Sequence, residues 1–477
     1  MGDANCSIVH TGAKHLSRRE LLRASTLIVS SLALSACQLV PSLTPPQQPV
    51  VTQPVTLSLY YGPLFATAGG LTQESQILKL ILGRYHQEHP NITIQPVEIS
   101  FSLFGQGSSW LTATAPGHAD VVLTGDVSFG TTPLSAAVVP LDSFIKQDKS
   151  VHVKDYYSVA LAMWQASGKQ IALPRDIAPS NIIYYNRSLL QAAGSSDPPD
   201  GWSTSDFLQM LAKLHTAGQS YPPSDGRHWA YTDTSAVQGL LAFIYLFGGR
   251  LTGAPSQPNT VTIDRPQAVA GARFYVDLYR QGYAEAPLLR DQESQLADFL
   301  TGTIPLLLSD PSLIPTMQHV KHPLDWDITM LPLQQGVQQV WTGVGFSASL
   351  TKVCTQPDAA WDLIRYLIQG EGMKLRAGYG DVHPAYKPIA NSSTYLTKLP
   401  PRGKRLFNTI GMQYMLPSLP VTADLSFFFR SPTVAGSIDY RAMGFSLNED
   451  LTSVLQGNMS VSAALQDAAR AAKTPAS

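Results

Sequence analysis

Short apolar segments alternate with amphipathic helical segments along the chain, and this alternation constrains the fold more than any single motif. Val55–Tyr61 and residues 92–94 have the composition of strands, and residues 120–123 form the continuous apolar run typical of a buried strand. Between the first two strands, a helix is predicted to begin at Thr72 and to stop at Pro90. Its apolar face is predicted to consist of Ile77, Leu80, Ile81 and Tyr85. Strand, helix and strand in this order predict a parallel sheet of the α/β class.

The same alternation returns in the second half of the chain. Residues 182–185 predict a strand, and Ser203 with Asp206 has the spacing of a capping box at the start of a helix that Gly218 is expected to end. Further helices are predicted over residues 264–282 and 358–368. No repeat of the length that builds solenoids or propellers is visible. For a chain of 477 residues, this pattern predicts two α/β lobes.

The composition is that of a globular protein and argues against several kinds of partner. Hydrophobic residues make up 44% of the chain and charged residues 14%, and the formal net charge is −1. Because no basic run is present, nucleic acid is not expected as a partner. The cysteines are Cys6, Cys37 and Cys354, and none of their spacings is that of a metal site. We therefore expect no metal site and no cofactor. If Cys6 is removed with an N-terminal leader and Cys37 is acylated, Cys354 is left alone, so no internal disulfide is expected either.

The N-terminus has the ordered parts of a bacterial export signal. Residues 17–22, which include Arg18 and Arg19, resemble the twin-arginine signal, and an apolar run over residues 27–33 follows them. Residues 34–37 then resemble the lipobox of bacterial lipoproteins, whose cysteine takes the lipid. Residues 1–36 are therefore predicted to be a signal peptide, and Cys37 to be a lipidation site at the outer face of the cytoplasmic membrane. The alternative is an N-terminal helix of the folded protein.

Residues 37–54 are predicted to be an extended tether between the lipid and the folded domain. Residues 41–54 contain five prolines and no charged residue, a composition that favours extended chain over packed structure. No later segment reaches the roughly 18 apolar residues that a membrane span requires. The membrane is therefore expected to be contacted through the lipid anchor only.

The order of short motifs along the chain resembles a known family. The motifs are Asp120-Val121-Val122 with Pro140-Leu141-Asp142, Gly168-Lys169 with Pro174, Tyr184-Tyr185-Asn186, Gly201-Trp202-Ser203 with Phe207, Gly248-Gly249, Phe299 to Gly302, Ala359-Ala360-Trp361 and Leu455-Gln456-Gly457. In this order they resemble the extracellular solute-binding proteins of ABC importers, a family that includes maltose-binding protein and other sugar binders. The resemblance implies a monomer that captures a carbohydrate-like solute and delivers it to ABC permease subunits.

The resemblance also implies a two-lobed periplasmic-binding-protein-like fold of type II, with the ligand in a cleft between the lobes. The first lobe would comprise residues 55–175 and 331–372, and the second residues 176–330 and 373–477. Chain crossings between the lobes are expected near residues 174–178, 331–333 and 370–373. Hinge motion about such crossings would close the cleft on the ligand.

Candidate ligand-binding residues of the first lobe follow the ends of its predicted strands. Tyr61 and Gly62 follow the first strand, where the Tyr61 ring can stack on a sugar; packing between the lobes is the alternative. Asp126 follows the buried strand, and its carboxylate suits two sugar hydroxyls, although it can also cap a helix.

Two further candidates lie beside the first expected crossing. Asp176 can bind ligand there, with Asn181 nearby, but Asp176 can also form a hinge ion pair with Arg175. The sequence leaves both roles open.

The remaining candidates come from the second lobe and from the chain that returns to the first. Asp310 follows the strand at residues 306–308, where sugar-binding relatives commonly have a tryptophan that this chain lacks. Trp341 can supply that aromatic face or lie under the cleft, and Gly343 belongs to a glycine-rich loop that lets ligand approach the backbone. Trp229 and Gln238 can reach in from the second lobe; for Trp229, burial in the core is the alternative.

No enzyme motif is complete in the chain, so no catalytic residue is expected. Residues 345–349 break the Gly-x-Ser-x-Gly pattern at its last position, and residues 105–110 lack the third glycine of a dinucleotide loop. One alternative is a ferric-iron or polyamine binder of the same fold, with Tyr184 and Tyr185 as iron ligands. Adjacent strand residues point to opposite faces, which argues against that pair. Another alternative is a surface sensor lipoprotein that has no transporter.

Overall fold

The computed structural model describes most of the chain after the N-terminal segment. The described residues are 53–62, 71–98, 119–125, 134, 136–179, 182–220, 228–234, 236–253, 260–285, 292–319, 324–337, 343–407, 434–435 and 438–473. The signal peptide, Cys37 and the tether up to residue 52 lie outside these ranges and stay predictions. Within them, no helix combines the length and the apolar character needed to cross a bilayer.

Strands and helices alternate along the described residues. The strands are β1 (Val55–Tyr61), β2 (Ile92–Glu98), β3 (Val121–Gly125), β4 (Gln165–Ala166), β5 (Lys169–Gln170), β6 (Leu173–Pro174), β7 (Ala178–Pro179), β8 (Ile182–Asn186), β9 (Tyr231–Asp233), β10 (Leu306–Ser309), β11 (Trp326–Met330), β12 (Gly343–Val344), β13 (Phe346–Leu350), β14 (Val434–Ala435) and β15 (Ile438–Asp439). The helices are α1 (Leu71–Glu88), α2 (Asp142–Gln147), α3 (Ser158–Met163), α4 (Arg187–Ala192), α5 (Thr204–Ser220), α6 (Ala236–Leu246), α7 (Pro266–Arg280), α8 (Gln292–Leu300), α9 (Ile314–Gln318), α10 (Pro357–Ile368), α11 (Glu371–Ala377), α12 (Lys387–Ala390), α13 (Ser393–Leu396), α14 (Gly403–Arg405), α15 (Tyr440–Leu455) and α16 (Val461–Ala471). Short 3-10 turns occupy Val153–Asp155 and Pro311–Leu313.

The first lobe is built on a five-stranded sheet in the order β2-β1-β3-β13-β6. The strands β2, β1 and β3 are parallel, as predicted, because α1 carries the chain back between β1 and β2. The complete sheet is mixed, since β13 runs antiparallel to both β3 and β6. This strand enters from the second lobe, so no local strand–helix–strand unit sets its direction.

The second lobe contains a four-stranded sheet in the order β11-β8-β10-β9. Only β9 and β10 are parallel neighbours, and β8 runs antiparallel to both β10 and β11. Here too the sheet is mixed, because β8 follows directly from the crossing after β6 instead of from a helix on the same sheet. The chain returns after β11 to add β13 to the first sheet. After α10, the side chains of Met373 and Ala377 join the core of the second lobe.

Both faces of the second sheet are covered by apolar side chains. On β8, Ile183 and Tyr185 pack into one buried cluster with helices α5, α6 and α7, while Ile182 and Tyr184 pack into another with Phe299 and Met373. Successive strand residues point to opposite faces, so a strand covered on both sides is apolar throughout. This explains why residues 182–185 of β8 form a continuous apolar and aromatic run.

The predicted helices are confirmed in position, with two corrections in detail. The buried face of α1 consists of Ile77, Leu78, Ile81, Leu82 and Tyr85, whereas Leu80 is 61% exposed because it lies on the helix arc beyond this stripe. Gly218 does not end α5, which continues to Ser220. The capping box is confirmed: the Asp206 carboxylate accepts from the Ser203 N–H at 2.8 Å, and the Asp206 N–H donates to Ser203 Oγ at 3.1 Å.

Candidate functional site

The first crossing between the lobes is held by a buried ion pair. Arg175 Nε donates to Asp176 Oδ2 at 2.7 Å, and the other carboxylate oxygen of Asp176 accepts from the backbone N–H of Phe346 at 2.9 Å. The Arg175 guanidinium also lies over the Phe346 ring, 4.9 Å from its centroid. Both oxygens of the Asp176 carboxylate are thus engaged within the protein. The geometry favours the hinge role of Asp176 over the ligand role, which stays untested.

Two other segments pair with this crossing. Strand β12 runs antiparallel to β7, with Gly343 opposite Pro179. On the other side, the Ile177 N–H donates to the His383 carbonyl at 2.8 Å, and the Ala385 N–H donates to the Arg175 carbonyl at 3.1 Å. The crossing is therefore the middle of a small hydrogen-bonded ladder.

Gly345 lets the backbones of this ladder approach closely. A Cβ atom at this position would lie 2.7 Å from the Asp176 carbonyl oxygen, closer than a side chain permits. Within the glycine-rich loop predicted from the sequence, Gly345 is thus required for backbone packing at the hinge. Contact between Gly343 and a ligand remains a prediction.

Strand ends of the first sheet meet at the edge where the crossing lies. The strands β1, β3 and β6 all point their carboxyl ends to this edge, because β1 is parallel to β3, and β13 runs antiparallel to both β3 and β6. This edge therefore carries Tyr61, buried Gly62 and the start of the segment that contains Asp126. Asp126 itself lies outside the described residues.

Tyr61 belongs to a hydrogen-bonded group that the sequence did not predict. Its hydroxyl donates to Glu98 Oε2 at 3.1 Å, and Ser75 Oγ donates to the same oxygen at 2.6 Å. Tyr61 and Glu98 are register partners at the ends of β1 and β2, and the Glu98 side chain is exposed. The cluster places a carboxylate, a phenol and a hydroxyl together at the carboxyl-end edge of the sheet.

The corresponding edge of the second sheet is also polar. Asp310 follows β10, and its carboxylate accepts from the Ser312 N–H at 2.8 Å, which caps the 3-10 turn at Pro311–Leu313. Burial raises the pKa of the Asp310 carboxyl, and the hydrogen bonds from Ser312 oppose this shift. Beside it, the hydroxyls of Thr234 and Ser309 lie 2.9 Å apart at the ends of β9 and β10.

The structure brings some of the second-lobe candidates to this edge and leaves one away from it. The backbone of Gln238 lies in the first turn of α6, just after the carboxyl end of β9. Trp229 precedes β9 and therefore lies at the opposite, amino-end edge, where it is half-buried. The side chain of Gln238, together with Asn181 and Trp341, lies outside what the structure describes.

The adjacent tyrosines of β8 point to opposite faces, as the strand argument predicted. The Tyr184 hydroxyl donates to the Asp310 carbonyl at 2.8 Å, and the Tyr185 hydroxyl donates to Asp197 Oδ2 at 2.9 Å. Burial raises the pKa of both phenols, that of Tyr185 to about 12. Two phenols on opposite faces cannot bind one ion together. Among the described residues, no group of three or more His, Cys, Asp or Glu side chains is placed to hold a metal.

Sequence reasoning missed Glu98, Ser75, Thr234 and Ser309. Glu98, Thr234 and Ser309 lie at or just after strand carboxyl ends, which was the rule that selected Tyr61 and Asp310. Glu98 was missed because the end of β2 was not predicted, and Thr234 because β9 was not predicted. Ser309 directly follows the strand predicted at residues 306–308, but Asp310 was chosen there instead. Ser75 lies within α1, and no local signal pointed to it.

Comparison with known proteins gives the chain its family. The family model of the bacterial extracellular solute-binding proteins matches residues 68–374. A probable ABC transporter-binding protein of Deinococcus radiodurans is 22% identical over 263 residues, which cover 54% of this chain and 60% of that protein. The chain thus spans about three-fifths of the length of this relative.

Solved structures of similar fold match this chain over nearly the whole length of their own chains. An ABC substrate-binding protein from Listeria monocytogenes in complex with cycloalternan is 17% identical, with a TM-score of 0.66 over 87% of this chain and 97% of that one. The sugar-binding protein MalE from Xanthomonas citri is 19% identical, with a TM-score of 0.67 over 88% of this chain and 96% of that one. These matches confirm the predicted two-lobed α/β fold. With the family match, they show that the chain belongs to the bacterial extracellular solute-binding protein family.

Proposed function

We propose that this protein is the substrate-binding component of an ABC importer and that it captures a carbohydrate or related polyol in the cleft between its lobes. The observation that carries the proposal is the chemistry of the two sheet edges that adjoin the first crossing. Each edge combines carboxylate and hydroxyl groups at strand ends, and the crossing at Arg175–Asp176 joins the two sheets. Cycloalternan in the Listeria complex is consistent with this assignment.

The groups of the two edges suit a neutral, hydroxyl-rich ligand. On the first edge, the exposed Glu98 carboxylate can accept from ligand hydroxyls, while the Tyr61 ring, which is 7% exposed, packs in the core of the first lobe and its hydroxyl helps to position that carboxylate. On the second edge, Thr234 and Ser309 offer hydroxyls that both donate and accept. A ligand that contacts both edges binds the closed arrangement better than the open one, so it shifts the population towards closure.

An importer's binding protein must lie outside the cytoplasm and close to the membrane, and residues 1–54 account for that location. We propose that residues 1–36 direct export through the twin-arginine route, that Cys37 takes the lipid, and that residues 37–54 hold the domain within reach of permease subunits. In this account the protein acts as a monomer and carries out no reaction on its ligand. The family and the structural relatives are binding proteins, which supports the absence of a reaction.

A thermal-shift screen of the purified protein tests the ligand class. A carbohydrate present at 100 times its dissociation constant is expected to raise the free energy of unfolding by about 2.7 kcal/mol. Ferric iron and a polyamine serve as comparison ligands, and Glu98→Gln is the matched variant. A stabilising carbohydrate with a smaller effect on Glu98→Gln supports the proposal. Stabilisation by iron or polyamine, with no response to any carbohydrate, refutes it.

A further inference from the structure

The second lobe contains a buried polar cluster around Asp233, at the carboxyl end of β9. Asp233 is 1% exposed, and its Oδ2 accepts from the Tyr275 and Tyr279 hydroxyls, each at 2.8 Å. Glu285, also 1% exposed, accepts from Thr232 Oγ1 at 3.3 Å. The cluster therefore holds two buried carboxylates next to the polar edge that carries Thr234.

The fold makes room for the Asp233 carboxylate. A Cβ atom on Gly239, inside α6, would lie 2.5 Å from Asp233 Oδ2 and 2.8 Å from the Tyr275 ring. Glycine inside a helix is less favourable than alanine. At this position it is what allows the helix to pack directly on the carboxylate, so the contact between α6 and Asp233 is close and specific.

No basic group faces Asp233 among the residues described around it. Strand β9 contributes Tyr231, α7 contributes Tyr275 and Tyr279, the segment after α7 contributes Glu285, and α6 contributes Gly239. Burial raises the pKa of Asp233 to about 7, and Glu285 raises it further, while hydrogen bonds from Tyr279 and Tyr275 oppose the shift. Because no cation among the described residues contacts Asp233, a proton is the simplest way to neutralise its carboxylate.

The Tyr275 hydroxyl can respond to that proton. It has one hydrogen to donate and two acceptors within reach, Asp233 Oδ2 at 2.8 Å and the Ala236 carbonyl at 2.9 Å. An ionised Asp233 attracts the hydrogen bond to itself, whereas a neutral Asp233 leaves it for Ala236, the first residue of α6. The protonation state thus selects between two hydrogen-bond arrangements at the start of the helix.

This helix start adjoins the candidate ligand edge. Asp233 is followed directly by Thr234, whose N–H donates to the Leu308 carbonyl at 3.1 Å and whose hydroxyl contacts Ser309. We propose that Asp233 is a positioning residue that carries a proton in the folded protein, and that loss of this proton rearranges the first turn of α6 and the adjoining ligand edge. Only the effect on ligand rests on the proposed function.

Unfolding of the ligand-free full protein between pH 5 and 9 tests whether Asp233 is protonated in the folded state. A group with a raised pKa in the folded state stabilises the fold at low pH, and this stability is lost as the pH rises towards the folded pKa. The unfolding equilibrium constant of the wild type, divided by that of Asp233→Asn, should rise by up to about tenfold per pH unit below pH 7 and level off above pH 8. Asp277→Asn, an exposed change on α7, is the matched control and should follow the wild type. Parallel curves for the wild type and Asp233→Asn would overturn the proposal.

Two further measurements keep the proposal testable if Asp233→Asn does not fold. Tyr275→Phe removes a donor to the carboxylate, so the same pH response should remain with its midpoint shifted upwards; an unchanged midpoint argues against the arrangement. Hydrogen exchange of residues 236–240, corrected for its intrinsic pH dependence, should lose protection from pH 6 to pH 8 in the wild type but not in Tyr275→Phe. Equal changes in both proteins would overturn the coupling to α6. These measurements use no ligand. A failed carbohydrate screen would therefore refute the proposed function and leave the test of the Asp233 proton unaffected.

Discussion

The Asp176 carboxylate is expected to stabilise the hinge, and Asp176→Ala separates this role from ligand binding. Its two oxygens accept from Arg175 Nε at 2.7 Å and from the Phe346 N–H at 2.9 Å, and the side chains of the ion pair are 4% and 7% exposed. Removing one partner of a buried ion pair costs about 3–5 kcal/mol. The free energy of unfolding of the ligand-free protein, measured in urea, should therefore fall by that amount.

Two variants check the physical reason for this loss. Replacing the pair together, as Arg175→Met with Asp176→Leu, removes both buried charges and should recover part of the stability. Glu371→Gln removes an ion pair with Lys374 whose side chains are 44% and 58% exposed, and it should change the stability by at most about 1 kcal/mol. If Asp176→Ala leaves the unfolding free energy unchanged and abolishes carbohydrate binding, Asp176 is a ligand contact and the hinge reasoning is wrong.

Three more predictions address the ligand, the backbone and the anchor. Asp126→Ala should weaken carbohydrate binding by about 1.5–3 kcal/mol in calorimetry with little change in ligand-free melting; a large loss of stability would support helix capping instead. Gly345→Ala should destabilise the protein in urea because its Cβ meets the Asp176 carbonyl, whereas Gly83→Ala, in an open position within α1, should stabilise it by about 1 kcal/mol. Equal effects of the two changes would contradict the close-approach argument. Cys37→Ala should release the protein from the membrane fraction, and retention there would contradict the lipid anchor.

Much of the fold follows from local patterns in the sequence. Strand β1, the start of α1 and the capping box at Ser203 depend on residues close in sequence, so periodicity and capping signals are enough to predict them. Strand direction in the mixed sheets depends on where the chain enters each lobe, as for β8 and β13, and no local pattern encodes this.

The candidate site is harder to predict because its groups come from distant parts of the chain. Tyr61 and Asp310 were found because each follows a recognisable strand, whereas Ser75 joins Tyr61 only through the packing of α1 on β2. The roles of Asp176 could not be separated by sequence, since an aspartate beside an arginine fits both a hinge and a ligand site. The structure distinguishes them by showing what each carboxylate oxygen contacts.

Small-angle X-ray scattering of the purified protein, with and without the carbohydrate that binds best in the screen, tests the central claim most directly. A ligand held between two lobes that close on it should reduce the radius of gyration at saturation, with one molecule bound per chain. Glu98→Gln should need more carbohydrate to reach the same compact state. Saturable carbohydrate binding with an unchanged radius of gyration would place the ligand outside a closing cleft and contradict the account.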